Sequence, residues 1–263
     1  MCKLFAISSQ DALEVNGLLR EFFAYADENP HGWGFASLTP QGPEVVRSPD
    51  RADTSLAAAA LLARPVWAAS ALAHIRFATV GQVETDNCHP FSATDASGRP
   101  WVLAHKGTVF DFEPLNRYFY TQAGSTDSER VLLYLVDEVN AAAAEKGAPL
   151  EAAERFAVFE GVCARLSPGN CLSLIAFDSD LLYLHNNYQG ALNCLQGEGR
   201  AVFCTEELAA AAAVTKGAWR PLPLCTPLAY KEGREVFRGA AHGAEYFKND
   251  EDTRFLYQDY AAL

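Results

Sequence analysis

The sequence predicts an α+β layered sandwich. Three observations carry that reading. Two helical stretches, residues 125–139 and 150–166, follow one another in mid-chain, and short apolar strand-like segments lie on both sides of them. No stretch between them has linker composition, so residues 1–263 are expected to form a single domain.

Residues 3–8 crowd apolar side chains as a sheet strand buried on both faces does. A helical pattern is expected from Asp11, with Leu18, Leu19, Phe22, Phe23 and Ala26 on one face, until Asn29-Pro30-His31-Gly32 breaks it. Residues 35–38 and 45–47 read as strands around a turn at 40–43. Asp53-Thr54-Ser55 offers a cap to an alanine-rich helix reaching Ala63. Residues 66–77 read as one or two buried strands, and 100–105 as another. Ser125-Thr126-Asp127-Ser128-Glu129 starts a helix with acids in its first turn, continued by the stripe Val131, Leu132, Leu135, Val136 and Val139. Residues 171–177 and 181–185 form a hairpin pattern across Asp178-Ser179-Asp180. Residues 201–205 read as a strand, 206–214 as a short helix, and 222–230 and 235–238 as further strands. The polar and aromatic residues 242–263 follow neither period.

Composition narrows the function classes. There are 21 Lys plus Arg against 33 Asp plus Glu, a formal charge of −12, and that field repels a phosphate backbone. Nucleic acid is therefore not an expected partner. No apolar run is long enough to span a bilayer, and the opening Met-Cys-Lys-Leu-Phe-Ala-Ile-Ser-Ser turns polar too soon for a secretory signal. The 7 cysteines are odd in number and include no C-x-x-C pair, which suits a reduced cytoplasmic setting. No metal-ligand spacing, phosphate loop or dinucleotide fingerprint is present, so no cofactor is expected.

Six segments carry candidate chemistry. Cys2 follows a removable initiator methionine; its thiol and α-amine would then belong to one residue. Their reference pKa values, about 8.5 and about 7.7–8.0, let the amine take the thiol's proton. The alternative is a buried strand thiol. In His74-Ile75-Arg76-Phe77-Ala78-Thr79, strand alternation puts His74 and Arg76 on one face, where a guanidinium suits either a substrate carboxylate or an internal salt bridge. Asn87-Cys88-His89-Pro90-Phe91 reads as a polar loop with an aromatic anchor. His105-Lys106-Gly107-Thr108 ends a strand with a glycine that lets backbone approach a ligand. Asp127 is a helix-start acid. His31-Gly32-Trp33-Gly34 marks tight packing against something planar or another backbone. His185 and His242 have no partner pattern and read as structural or exposed.

Taken in chain order, these segments resemble the class II glutamine amidotransferases, cysteine members of the N-terminal nucleophile (Ntn) hydrolases. The likeness covers roughly residues 2–135 and is nearest to small stand-alone members beginning Met-Cys-Arg/Lys-Leu. Pro168-Gly169-Asn170, Cys204-Thr205-Glu206-Glu207-Leu208, Trp219 and Leu222-Pro223 resemble that subgroup more loosely.

The resemblance implies a four-layer α/β/β/α sandwich of antiparallel sheets. It implies that Cys2, freed of Met1, attacks the glutamine side-chain amide and releases ammonia through a γ-glutamyl thioester. Arg76, with Thr79 beside it, would hold the substrate α-carboxylate, and Asp127 the α-ammonium. Gly107 would offer its N–H to the oxyanion, and Trp33, His74 and His89 would shape the pocket. A synthase accepting the ammonia is the partner such a domain can serve. One position departs from the pattern: the residue before that glycine is commonly an asparagine donating a second oxyanion hydrogen bond, and here it is Lys106, a catalytic candidate that would substitute as a charged donor and favour the Cys2 thiolate, or else would fill the glutamine pocket or point to solvent. Three alternatives stay open at this point. They are hydrolysis of another γ-glutamyl amide, a non-catalytic amino-acid-binding module, and a metal- or redox-sensing Cys/His protein.

Overall fold

A computed structural model describes residues 2–39 and 42–248. One antiparallel sheet takes seven strands in the order β11 (Trp219–Pro221), β9 (Asn193–Gly197), β10 (Arg200–Cys204), β1 (Lys3–Glu14), β4 (Trp67–Ile75), β2 (Trp33–Thr39) and β3 (Gly42–Ser48). The other takes six: β13 (Arg234–Arg238), β12 (Leu228–Lys231), β8 (Leu182–Asn186), β7 (Cys171–Phe177), β6 (Pro100–Thr108) and β5 (Phe91–Thr94).

Three apolar layers stack these sheets. Phe5, Ile7, Phe35 and Ile75 pack under α1 (Asn16–Phe23) and α2 (Leu56–Leu62), meeting Leu18, Leu19, Phe22 and Ala58. Leu103, Leu172 and Leu174 pack under α3 (Asp127–Lys146) and α4 (Ala152–Leu166), meeting Val131, Leu132 and Phe159. Between the sheets lie Leu4, Ala6, Leu72, Val102, Ala104, Ile175 and Leu184. The order is thus α/β/β/α, as the resemblance implies. Each large apolar side chain buried here contributes about 1.5–3 kcal/mol, against at most ~1 kcal/mol for an exposed ion pair, so the layers hold the sandwich.

Helix ends follow the local sequence. The Thr126 hydroxyl accepts the Glu129 N–H at 3.2 Å to start α3, and Gly147 ends it with φ 73°. Glu151 and Glu154 form a reciprocal capping box at the start of α4.

Four sequence expectations change. Asp11 does not begin a helix: β1 bulges after Ser8 and resumes, pairing Leu13 with Ala68 and Glu14 with Trp67. The helix waits for Asn16, whose amide donates to the Leu62 and Arg64 carbonyls and accepts the Val66 N–H. Residues 206–214 make only a 3-10 turn, Ala209–Ala213, capped at its start by the Glu21 carboxylate, which accepts the Ala209 and Ala210 N–H groups, each at 2.7 Å. Residues 222–230 are not one strand, since the chain leaves the first sheet after β11 and enters the second at β12. Strands β5, β9 and β11 are additional. Of the unplaced tail, 242–248 runs as an irregular segment and 249–263 lies outside the described residues.

Register then sets the site. Leu4 and Ala6 point between the sheets, so period two points Cys2 the same way. Leu72 does so on β4, and His74 and Arg76 follow it; Val102 and Ala104 do so on β6, and Lys106 follows them. The Gly-Trp-Gly segment packs against backbone. A Cβ on Gly34 would lie 2.0 Å from the His89 carbonyl oxygen, and one on Gly32, at φ +122°, would lie 2.5 Å from Cys88 Sγ. Gly34→Ala is therefore expected to lower unfolding free energy by roughly 1–3 kcal/mol in urea titrations. An unchanged midpoint would refute the close approach.

Candidate active site

Cys2 lies at the N-terminal end of central strand β1, partly exposed, while the other six cysteines are buried. Its Sγ–H donates to the Phe77 carbonyl at 3.3 Å, and its sulfur accepts the Phe77 N–H at 3.2 Å. Burial pushes its thiol pKa up. The Phe77 backbone and the positive charges of Arg76 and Lys106 pull it back down. Next along the chain, the Ala78 N–H donates to His31 Nδ1 at 2.9 Å, and the His31 ring sits 5.1 Å from that of Phe77. Cys2 and His31 thus hold the first turn of the loop that leaves β4.

Arg76 braces the rest of that loop. It is 2% exposed, and its guanidinium donates to the carbonyls of Val80, Gly81 and Gln82 at 2.8, 3.0 and 2.8 Å. Three of its five N–H groups are thereby used. Thr79 Oγ1 stands 3.5 Å from Thr108 Oγ1, joining the loop to the end of β6. Asn87 ties the loop to α3: its amide donates to the Gln82 carbonyl at 3.0 Å and to Ser125 Oγ at 3.1 Å, and it accepts the Ser125 N–H at 2.7 Å. Gly81 and Gly124 make room for it; a Cβ on either would come within 2.9 Å of an Asn87 side-chain atom. The sequence marked Asn87 only as part of a polar loop. One of the glycines that make room for it, Gly81, is six positions away and the other, Gly124, is distant in the chain, so no local pattern marked the contact.

The end of β6 supplies the facing wall. Gly107 has φ +149°, and a Cβ there would lie 1.9 Å from the Cys171 carbonyl oxygen. Glycine is required by the backbone of β7, besides any ligand. Lys106 is 6% exposed, and its ammonium makes one long contact, 3.5 Å to the Ala191 carbonyl. Burial and the Lys3 charge push its pKa below the usual lysine range, against an opposing effect from Cys2. Asp127, in the first turn of α3, accepts the Val109 N–H on Oδ2 at 2.8 Å. His105 faces α3 rather than Cys2. Its Nε2–H donates to the Cys171 carbonyl at 3.1 Å, so its Nδ1, 3.0 Å from Ser128 Oγ, is the acceptor in the neutral ring.

The other expected residues divide. His74 and His89 are buried with ring centroids 4.1 Å apart, and burial and neighbouring positive charge push His74 down to about 3 and His89 well below its ordinary value. Both rings are neutral and underlie the loop that Arg76 braces. Trp33 is on the wrong face for a pocket wall: its register partner is Ile75, and its ring packs at 5.1 Å on Phe23 in the layer beneath α1. His185 and His242 have partners after all. His185 Nδ1–H donates to the Leu172 carbonyl at 3.0 Å, and its Nε2 accepts from His242 Nε2 at 2.9 Å. No group of three His, Cys, Asp or Glu among the described residues is placed to hold a metal ion. Nor, among those residues, is any helix long and apolar enough to cross a membrane.

The family model for class II glutamine amidotransferases matches residues 1–196. The chain belongs to that family. Among solved structures, a predicted glutamine amidotransferase from Pseudomonas aeruginosa superposes with a TM-score of 0.63, at 20% identity, over 90% of this chain and 100% of that one. The glutamine phosphoribosylpyrophosphate amidotransferase of Bacillus subtilis superposes with a TM-score of 0.62, at 14% identity, over 87% of this chain and 47% of that one. Those likenesses carry the fold, that of the Ntn class II amidotransferases. A relative of uncharacterised role in Methanocaldococcus jannaschii is 27% identical over 208 residues, 79% of this chain and 51% of that one. The chain spans about half the length of that curated relative.

For a member of this family the thiols give a direct test. Burial pushes Cys88 up to about 11 and Cys171, Cys194 and Cys204 up to about 12. Iodoacetamide on the native chain is expected to modify Cys2 first, with the rate rising as pH climbs toward its raised pKa. Peptide mass spectrometry reads the order, and any other cysteine reacting first would contradict the placement.

Proposed function

We propose that this amidotransferase hydrolyses the side-chain amide of glutamine, with Cys2 as nucleophile once Met1 has been removed. The observation that carries the reading is the convergence of Cys2, the Arg76-braced loop, Gly107 and Asp127 at one end of the two sheets.

The steps follow from the groups present. The free α-amine of Cys2 takes the thiol proton, and Sγ attacks the amide carbon. A C–S bond forms, and the carbonyl π pair moves onto oxygen. The Gly107 N–H faces that oxyanion. As the carbonyl re-forms, the C–N bond breaks, and the α-ammonium returns its proton to the departing ammonia. Water, giving a proton to the same amine, then attacks the γ-glutamyl thioester. The C–S bond breaks, glutamate leaves, and the thiol is restored. Binding relies on the other end of the substrate. The two remaining Arg76 N–H groups take the α-carboxylate with Thr79 alongside, and the Asp127 carboxylate takes the α-ammonium. An acceptor's amine is the alternative to water in resolving the thioester, and the ammonia released passes to solvent or to a partner synthase.

Cys2→Ala and Cys2→Ser are expected to abolish ammonia release from glutamine and labelling by a glutamine-like diazo ketone. Residual turnover in either removes Cys2 as nucleophile. Asp127→Asn is expected to raise the KM for glutamine about 10- to 100-fold with a smaller effect on kcat, the loss of one charge-assisted contact. An unaltered KM would place the substrate ammonium elsewhere.

A further inference from the structure

Two buried cations flank Cys2, and among the described residues neither forms an ion pair with a carboxylate. Arg76 is satisfied by three backbone carbonyls. Lys106 is not. Its ammonium has three donors and one contact, at 3.5 Å, and it is 6% exposed. The nearby carboxylate of Glu206 is engaged by Lys3. Holding an uncompensated ammonium out of water is costly unless an anion arrives to meet it. Strand alternation aims Lys106 between the sheets from β6, and Cys2 points into the same space from β1. The backbone N–H of the next residue, Gly107, belongs to the same strand end.

We propose that Lys106 is a catalytic residue of this chain: its ammonium stabilises negative charge on the Cys2 sulfur and then on the oxygen of the tetrahedral intermediate. It would do by charge what a side-chain amide does by a neutral N–H. The proposal rests on Cys2 being the nucleophile. The cation has a consequence an amide lacks. Burial lowers the Lys106 pKa, so the deprotonated form appears at lower pH than for an ordinary lysine, and catalysis falls as pH rises through that value. The kcat profile should therefore carry an alkaline limb belonging to this residue.

The test uses the full chain with methionine removal verified by intact mass. Lys106→Met keeps the side-chain length and removes the charge. Lys106→Asn supplies a neutral amide, and melting curves check that both variants fold. Lys106→Met is expected to lower kcat for glutamine about 10²–10³-fold with little change in KM. Lys106→Asn is expected to recover to within about tenfold of the parent while losing the alkaline limb. Iodoacetamide, which needs no substrate, should alkylate Cys2 roughly tenfold more slowly at neutral pH in Lys106→Met, the effect of removing one nearby positive charge. A Lys106→Met enzyme that keeps kcat and its alkaline limb, or an unchanged alkylation rate, overturns the proposal. A parent chain that releases no ammonia, while Lys106→Met still slows alkylation, overturns glutamine as substrate and leaves the lysine–thiol pair standing.

Discussion

The contact on which the site depends is Arg76 with the carbonyls of residues 80–82. A guanidinium buried at the end of a central strand needs acceptors, and here the main chain of its own loop provides them. The loop is consequently folded back over the strand end. That fold brings Thr79 to Thr108 and the Gln82 carbonyl to Asn87. Phe77, one residue past the arginine, then meets the Cys2 sulfur with both its N–H and its carbonyl. Satisfying one cation thus brings residues 76–87 against Thr108 and against Cys2, both far from them in the chain.

The neighbourhood is electrostatically one-sided. Arg76 and Lys106 lie close to Cys2, while the acids closest to that end are otherwise engaged: Glu206 with Lys3, and one oxygen of Asp127 with the Val109 N–H. Burial lowers the pKa of His31, His74, His89 and His105 around this end of the sheets, so these histidines are not the source of its positive charge. In an overall acidic protein of formal charge −12, this local reversal of sign is where an anionic group of a ligand is attracted.

Much of this was readable from residue order alone. The alternation through residues 74–76 does put His74 and Arg76 on one face, and the two central helices do lie between two sets of strands. The glycines around Trp33 do mark close backbone approaches, by His89 at Gly34 and by Ser48, beside the Cys88 sulfur, at Gly32. What escaped was set by long-range contacts that periodicity cannot express. Strand β1 continues past Ser8 because β4 offers it partners after a bulge. Trp33 looked like a pocket residue because its motif is near one, yet period two turns it to the helix side. Asn87 works through hydrogen bonds to residues 82 and 125, which no local pattern announces.

The pairing of His185 on β8 with His242 has a further reach. His242 is held on His185, and a few residues on, the Tyr246 N–H bonds the Asn187 carbonyl while its ring stacks 6.1 Å from that of Phe110. Phe110 follows Gly107 by three positions, and Asn170 clasps its N–H from beneath. Residues 242–246 therefore lean on the short connection that follows β6. Removing that segment would strip the stacking partner from Phe110 and loosen the connection just past Gly107.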